Sequence, residues 1–301
     1  MINFVGTRKW YFIFSGLIIL AGVVSLIAFG LKGGIEFTSG SMMTIRFEQP
    51  VEQAELREEM TNLGHGDAII QRTGEGDFLI RTGELAAEER DPVTGEVITP
   101  SERAILEEAL EERFGPLTVL DFYAVSPIIA AEIGRNASIA VAAAALGVLL
   151  YITLAFRRLT RPFRFGVCAI GALVHDVLIV LGIFSLLGVF FDIEINAMFI
   201  AGILTVIGYS VNDTIVVFDR IRENVAKNPA GSLETTINNS IMESLGRSLN
   251  TSLTGLFVLL ALFLFGGVTI HNFILVLLIG VITGTYSSIF IASQLLIVWE
   301  N

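Results

Sequence analysis

The chain is poor in the residues that build soluble active sites. It has one cysteine, three histidines and seven prolines in 301 residues. The lone thiol, Cys168, has no intrachain partner, so a disulfide framework is excluded. It sits in an apolar run and reads as a small core residue. Charged residues are only 16% of the chain, against about 25% in ordinary soluble domains. No cluster of His, Cys, Asp and Glu has metal-ligand or catalytic spacing. Neither metal nor cofactor nor enzymatic activity is expected, and no Ser or paired-Asp motif of an intramembrane protease is present. Basic surplus is lacking too: the formal net charge is −11, which argues against a nucleic-acid partner.

What the chain has is apolar length. It is 53% hydrophobic with a mean hydropathy of +0.72. Six stretches, at about 11–31, 137–156, 165–190, 195–218, 250–268 and 272–298, are long enough for helices across a hydrocarbon core of ~30 Å. The expected class is a polytopic α-helical membrane protein with six transmembrane helices. The first stretch follows Arg8-Lys9 and superficially resembles a signal peptide. Its length and the absence of a small-x-small site after it predict an uncleaved span.

Charge divides the chain. From Glu36 to Arg135 there are 21 acidic and 8 basic residues, and the remainder has a net charge of +2. An acidic water-facing domain is therefore inserted between spans one and two. Arg8 and Lys9, then Arg157, Arg158, Arg161 and Arg164, then Arg220, Arg222, Lys227 and Arg247 occupy one set of loops. The alternate loops at 191–194 and 266–271 carry no Lys or Arg. The positive-inside rule puts both termini in the cytoplasm and the acidic domain outside. The organisation expected is a cytoplasmic N-terminus and first span over 1–36, an extracytoplasmic domain over 37–127, and spans two to six over 128–301. Leu233, Ile237, Ile241 and Leu245 recur every four residues and predict an amphipathic helix along the cytoplasmic face at about 232–246.

Within the outward domain, Met43, Ile45 and Phe47 alternate with polar residues, as in a half-buried strand. Val51, Ala54, Met60 and Leu63 have helical spacing. Ala68–Ile70 and Phe78–Ile80 flank Gly74-Glu75-Gly76, a hairpin signal. Ser101 opens a helix ending at Gly115-Pro116, and 117–125 is a last strand. The order βαββαβ predicts an α+β, ferredoxin-like domain. A polar insertion around Asp91–Gly95, within 84–100, precedes the second helix. His65, between glycines, reads as a turn residue.

The spans hold three polar sites. Asp213, with Asn212 beside it and Ser210 one turn before, lies near the end of the fourth apolar run. A carboxylate there costs roughly 2.5–3.5 kcal/mol on insertion scales. His175 and Asp176 lie midway along the third. Arg247 and Thr251 are one turn apart at the start of the fifth. Asp213 is roughly 9 Å inside the span at 1.5 Å per residue, a depth Arg247 can reach by extending its stem. Two readings stay open: a relay that loads and releases a proton, or a permanent Asp213–Arg247 pair that locks two helices. For His175-Asp176, helix packing or a water pocket is the simpler reading, because adjacent residues point about 100° apart on a helix. Gly280-x-x-x-Gly284 fits a close helix crossing.

Several of these segments also resemble a known family. Gly33-Gly34-Ile35-Glu36-Phe37-Thr38-Ser39-Gly40 is similar to the Gly-Ile-Asp-Phe-x-Gly-Gly signature of the SecD/SecF translocation family. The run Val211–Asn224, containing Asn212-Asp213 and Asp219-Arg220-Ile221-Arg222, resembles the fourth-span signature of its SecF members. Ser240–Ser252 resembles their fifth-span start, and Val174-His175-Asp176-Val177 is also similar.

The resemblance implies a transporter of the resistance-nodulation-division type in the bacterial cytoplasmic membrane. It implies a SecD partner completing a twelve-span body, association with the SecYEG channel, with YajC and YidC, and action on a translocating polypeptide. It further implies that proton motive force drives export, that Asp213, Arg247 and Thr251 lie on the proton path, and that Gly34, Glu36 and Gly40 form a hinge below the outward domain. Asn212, His175 and Asp176 are secondary polar sites. Two departures stand out: Glu36 where Asp is usual, and Ser39 where the family has the first Gly. The alternative is a proton-coupled exporter of small molecules or lipids.

Overall fold

In the computed structural model, residues 3–73, 76–90, 97–157, 161–228 and 231–300 are described. The expected hairpin tip at Gly74-Glu75, the centre of the polar insertion at Asp91–Gly95 and Arg158 lie outside them. The chain forms two compact units, Met1–Lys32 with Asn136–Asn301, and Gly33–Arg135.

The second unit opens with a one-turn helix α2, Ile35–Thr38, which follows the first long helix α1, Arg8–Phe29. Then come β1 (Gly40–Phe47), α3 (Gln53–Asn62), β2 (Ile69–Arg72), β3 (Phe78–Thr82), β4 (Glu89–Arg90), β5 (Val97–Thr99), α4 (Glu102–Phe114) and β6 (Leu117–Val125). Four strands form one antiparallel sheet in the order β2-β3-β1-β6. That is the split-βαβ arrangement the sequence order implied. The alternation read from β1 buries Met43 and Ile45 against Leu56, Met60, Leu106 and Leu110 of the two helices. Ser101 caps α4 by accepting the Ala104 N–H at 3.2 Å, as its place before the helix suggests.

One expectation changes here. On α3 the inward positions are Leu56 and Met60, four apart, while Ala54 is exposed. Within the polar insertion, β4 and β5 pair as a two-stranded antiparallel ladder.

The first unit carries the long helices. After α5 (Pro127–Ala155) come α6 (Phe163–Phe191), α7 (Ala197–Lys227), α8 (Leu233–Phe265) and α9 (Val268–Ser287). A π-helical turn at Ser288–Ala292 then leads into α10, Ser293–Glu300. The described residues contain six helical stretches long and apolar enough to cross a membrane, matching the six apolar runs. The third, fourth and sixth are half buried or more, whereas the first, second and fifth are largely exposed in the single chain. Residues 233–246 are not a separate surface helix: they and the fifth span form the unbroken helix α8. No glycine or proline break falls between the amphipathic pattern and the apolar run except Gly246, which a helix tolerates at about 1 kcal/mol.

Small residues set the closest helix contacts. A Cβ on Gly280 of α9 would stand 2.0 Å from Val206 Cγ2 of α7, and one on Gly284 would stand 3.0 Å from Ser210 Cβ. The Gly280-x-x-x-Gly284 pair therefore makes the close crossing expected of it. At one end of the unit, Arg8 pairs with Glu234 at 2.9 Å and the Phe4 N–H donates to Asn238 Oδ1 at 2.8 Å. At the other, Lys32 pairs with Asp192, and Asn272 donates to the Glu194 carbonyl at 3.1 Å. The chain's N-terminal segment and the α7–α8 connection thus share one end.

Candidate functional site

The polar residues of the spans follow helical spacing. On α7, Ser210, Asp213, Thr214 and Val217 are buried at i, i+3, i+4 and i+7. On α8, Ser240, Ser244, Ser248 and Ser252 are buried every four residues. Small side chains on that stripe let α8 lie close against α7. Thr285 on α9 and Ser287 and Ser288 beside it are buried as well. These three faces meet around Asp213, which is 2% exposed.

Asp213 Oδ2 accepts from Ser252 Oγ at 3.2 Å and from Thr285 Oγ1 at 3.4 Å. The two hydroxyls also lie 2.6 Å from each other, and the Tyr209 hydroxyl donates to Ser252 at 3.3 Å. Ser252 and Thr285 have backbone acceptors too, Ser248 O at 2.9 Å and Val281 O at 2.8 Å. The carboxylate therefore competes for both protons at long range. Ser252 and Thr285 also line an apolar cavity of about 430 Å³ with Phe4, Leu249, Tyr286 and Phe290.

Arg247 does not reach Asp213. It and Thr251 lie on the exposed face of α8, and Thr251 Oγ1 donates to the Arg247 carbonyl at 3.0 Å. The reason is angular. Ser248 and Ser252 point at α7, and a residue one position earlier on a helix lies about 100° away. The expected pair fails because Arg247 and Thr251 each precede the inward residue by one. The signal that would have found Ser252 was the four-residue serine repeat. Asn212 is likewise exposed on α7, although it adjoins Asp213.

His175 and Asp176 come together, against the expectation from their adjacency. Both are buried, at 5% and 1% exposure, and His175 Nδ1 lies 2.9 Å from Asp176 Oδ1. Asp176 Oδ2 accepts from Ser210 Oγ at 2.6 Å and from Ser287 Oγ at 2.7 Å. Ser210, placed by sequence on the Asp213 side, thus serves the other carboxylate. Beside this cluster, Ser288 Oγ donates to the Ser210 carbonyl at 3.2 Å and lies 2.8 Å from the hydroxyl of Thr214, the residue after Asp213. The π-helical turn adds one residue to the helix at this point, and such turns recur at functional sites.

In the second unit, Gly34 precedes α2, Glu36 lies in its first turn, and Gly40 opens β1 with φ 125°. A Cβ at Gly40 would stand 2.5 Å from the Thr82 carbonyl oxygen. Ser39 has φ 62° and ψ 172°, a region that is essentially glycine-only. The tight turn persists with a side chain where the family has none. Among the described residues, no group of three or more His, Cys, Asp or Glu side chains is placed to hold a metal ion.

The sequence matches the family described as "Protein export membrane protein SecD/SecF, C-terminal" over residues 105–301, and the "SecD/SecF GG Motif" over residues 24–51. It is 46% identical to "Protein translocase subunit SecF" of Thermobaculum terrenum, over 100% of this chain and 95% of that protein. It is 40% identical to the protein of the same description from Anaerolinea thermophila, again over 100% and 95%. The fold is similar to the crystal structure of SecDF, a translocon-associated membrane protein from Thermus thermophilus. The TM-score is 0.83 and the identity 35%, over 100% of this chain and 39% of that one. The chain belongs to the SecD/SecF family of protein export membrane proteins.

Proposed function

We propose that this chain is the SecF-type subunit of a bacterial protein translocase, and that proton binding at Asp213 drives its movement. The observation that carries the reading is the placement of Asp213: a carboxylate 2% exposed in an apolar helix, held by two long hydroxyl contacts. An ionised group so weakly compensated in low dielectric responds to a proton or to an approaching cation.

A partner supplies the rest of the site. Arg247, Asn250, Thr251 and Thr254 are exposed at i, i+3, i+4 and i+7 on α8. Ala201, Thr205, Gly208 and Asn212 are exposed along α7. A stripe containing an arginine and small polar residues suits a protein neighbour and not lipid. The partner is a SecD-type subunit that presents a carboxylate to Arg247. SecDF, of which this chain matches only a part, supports a body of two such halves. Arg247 and Thr251 act on the proton path at that interface, Asn212 borders it, and protonation of Asp213 frees α7 and α8 to shift. Gly34, Glu36 and Gly40 form the hinge through which the movement reaches the domain at 37–127. That domain lies outside the membrane and both termini lie in the cytoplasm. The subunit works with the SecYEG channel, and with YajC and YidC, on a translocating polypeptide, and does no covalent chemistry. A self-contained small-molecule exporter is disfavoured by the uncovered polar stripes.

Asp213→Asn, assembled with its partner in proteoliposomes, tests this. Stimulation of export by a proton gradient should vanish while the complex still assembles. Full stimulation in the variant would overturn the reading.

A further inference from the structure

The His175–Asp176 dyad has no part in the scheme above, and its environment gives it one. Asp176 is more deeply buried than Asp213 and makes three shorter hydrogen bonds, accepting from Ser210 and Ser287 and lying 2.9 Å from His175 Nδ1. Three contacts do not remove its charge. Moving a carboxylate into low dielectric remains unfavourable unless an opposite charge or a proton accompanies it.

The sequence limits what that companion is. No Lys or Arg occurs from Trp10 to Leu31, from Phe165 to Asp219, or from Ser248 to Asn301. The elements packed around the dyad are α1, α7, α9, the π-helical turn and α10, and they carry Lys or Arg only at helix ends: Arg8, Arg220, Arg222 and Lys227 pair there with acids, and Lys9 is exposed. Away from those ends they carry Tyr11, Tyr209, Asp213 and Tyr286, and near the start of α9 His271, whose ring lies 4.1 Å from that of Phe263. The Tyr286 ring lies 6.0 Å from that of His175, nearly parallel to it. Its hydroxyl receives the Ser15 hydroxyl at 3.2 Å and donates to the Tyr11 carbonyl at 3.3 Å. Asp213 lies one turn beyond Ser210. None of these supplies a positive charge beside Asp176. A proton on Asp176 itself or on His175 would cancel the carboxylate's charge.

We propose that His175 and Asp176 form a second intramembrane proton-binding site, a dyad that holds one shared proton and is coupled to the Asp213 site through α7, which carries both Ser210 and Asp213. The geometry allows the transfer to balance. With the carboxylate ionised, the neutral ring carries its hydrogen on Nδ1 and donates it to Oδ1. His175 Nε2 is buried and has no partner among the described residues, so it is the open end. A proton arriving at Nε2 lets the Nδ1 hydrogen pass to Oδ1. The products are a neutral acid and a neutral ring protonated on Nε2, and the dyad's charge goes from −1 to 0. Ser210 and Ser287 donate to Oδ2 on either side of the transfer. Because Ser210 is on α7, a shift of that helix with the state of Asp213 changes the bonds that Asp176 accepts.

The full chain in lipid nanodiscs, with nitrogen-labelled histidine, tests this without measuring export, so its outcome is separate from that of Asp213→Asn on transport. His175→Gln identifies the ring signals among three histidines, and Asp176→Asn identifies the Asp176 carboxyl band in infrared difference spectra. Near neutral pH the unaltered chain should show one bound proton: either a doubly protonated ring beside a carboxylate, or an Nε2–H ring beside a protonated acid. An Nδ1–H ring beside an ionised carboxylate across about pH 5–8, the range of an ordinary imidazole switch, would overturn the proposal. The unaltered chain alone decides that point, even if a variant fails to fold. Asp213→Asn should also displace the dyad's signals, and unchanged signals would remove the connection.

Discussion

Ser252, not Thr251, donates to Asp213, and the one-residue offset separates two roles on α8. Ser252 Oγ is 3.2 Å from the carboxylate inside the chain, whereas Thr251 is exposed and donates only to the Arg247 carbonyl. Ser252→Ala should lower the stability of the isolated chain by about 1–2 kcal/mol, the upper range for an interhelical hydrogen bond in a membrane. Thr251→Ala should cost within about 0.5 kcal/mol, as surface substitutions do, yet weaken proton-driven export once the partner is present. Thermal denaturation in nanodiscs and a reconstituted export assay separate the two. Equal losses of stability would contradict the assignment of faces.

The six spans and the strand-and-helix order of the second unit were legible because each rests on a local signal: apolar length, alternation or a cap. The site was legible only in part. Asp213, His175 and Asp176 stand out as charges in apolar runs. Their partners do not, since Ser210, Ser252, Thr285 and Ser287 come from three helices, and serine in a span is common as packing. Arg247 drew the eye by its charge, but a helix turns about 100° per residue, and a pairing argued from depth alone ignores that angle. The π-helical turn had no sequence mark at all. The continuity of α8 was hidden because an amphipathic half and an apolar half look like two elements.

Gly280 fixes how near α9 comes to α7. A Cβ there would meet Val206 Cγ2 at 2.0 Å and Val206 Cβ at 2.9 Å. Gly280→Ala should cost about 1–3 kcal/mol, the usual range for overpacking, and should also perturb Asp213 through Thr285 on the same helix. Val206→Ala makes room for the added methyl. The double variant should therefore recover most of the loss, a coupling that a double-mutant cycle of thermal denaturation reads directly. Additive losses would show that the crossing is set elsewhere.

The turn into β1 carries strain at one position and forbids a side chain at the next. Ser39, at φ 62° and ψ 172°, occupies a region that costs a non-glycine residue about 1–3 kcal/mol. Ser39→Gly removes that cost but makes the unfolded chain more flexible, by roughly 0.5–1 kcal/mol. A net gain of about 1 kcal/mol is expected in the second unit. Gly40→Ala should do the reverse, because its Cβ would stand 2.5 Å from the Thr82 carbonyl oxygen. Amide hydrogen exchange along β1, β3 and β6 measures both.

The second unit should lose stability in acid through one carboxylate. Asp77 is buried at 5% exposure and accepts from Arg46 Nε at 2.6 Å and from an Arg46 terminal nitrogen at 2.8 Å. The hydrogen bond from Arg46, then its charge, hold the Asp77 carboxyl below its ordinary value of 3.8 against the opposing effect of burial. A group whose pKa is depressed on folding contributes stability that is whole above the unfolded value and disappears as pH falls through the folded one. The contribution should therefore be intact at neutral pH and begin to fade below about pH 4. Asp77→Asn removes the titrating group, so its stability should fall less steeply with acid than that of the unaltered chain, though it starts lower at pH 7. Amide exchange in β3 across that range gives both curves, and parallel slopes would show that other carboxylates govern the acid transition.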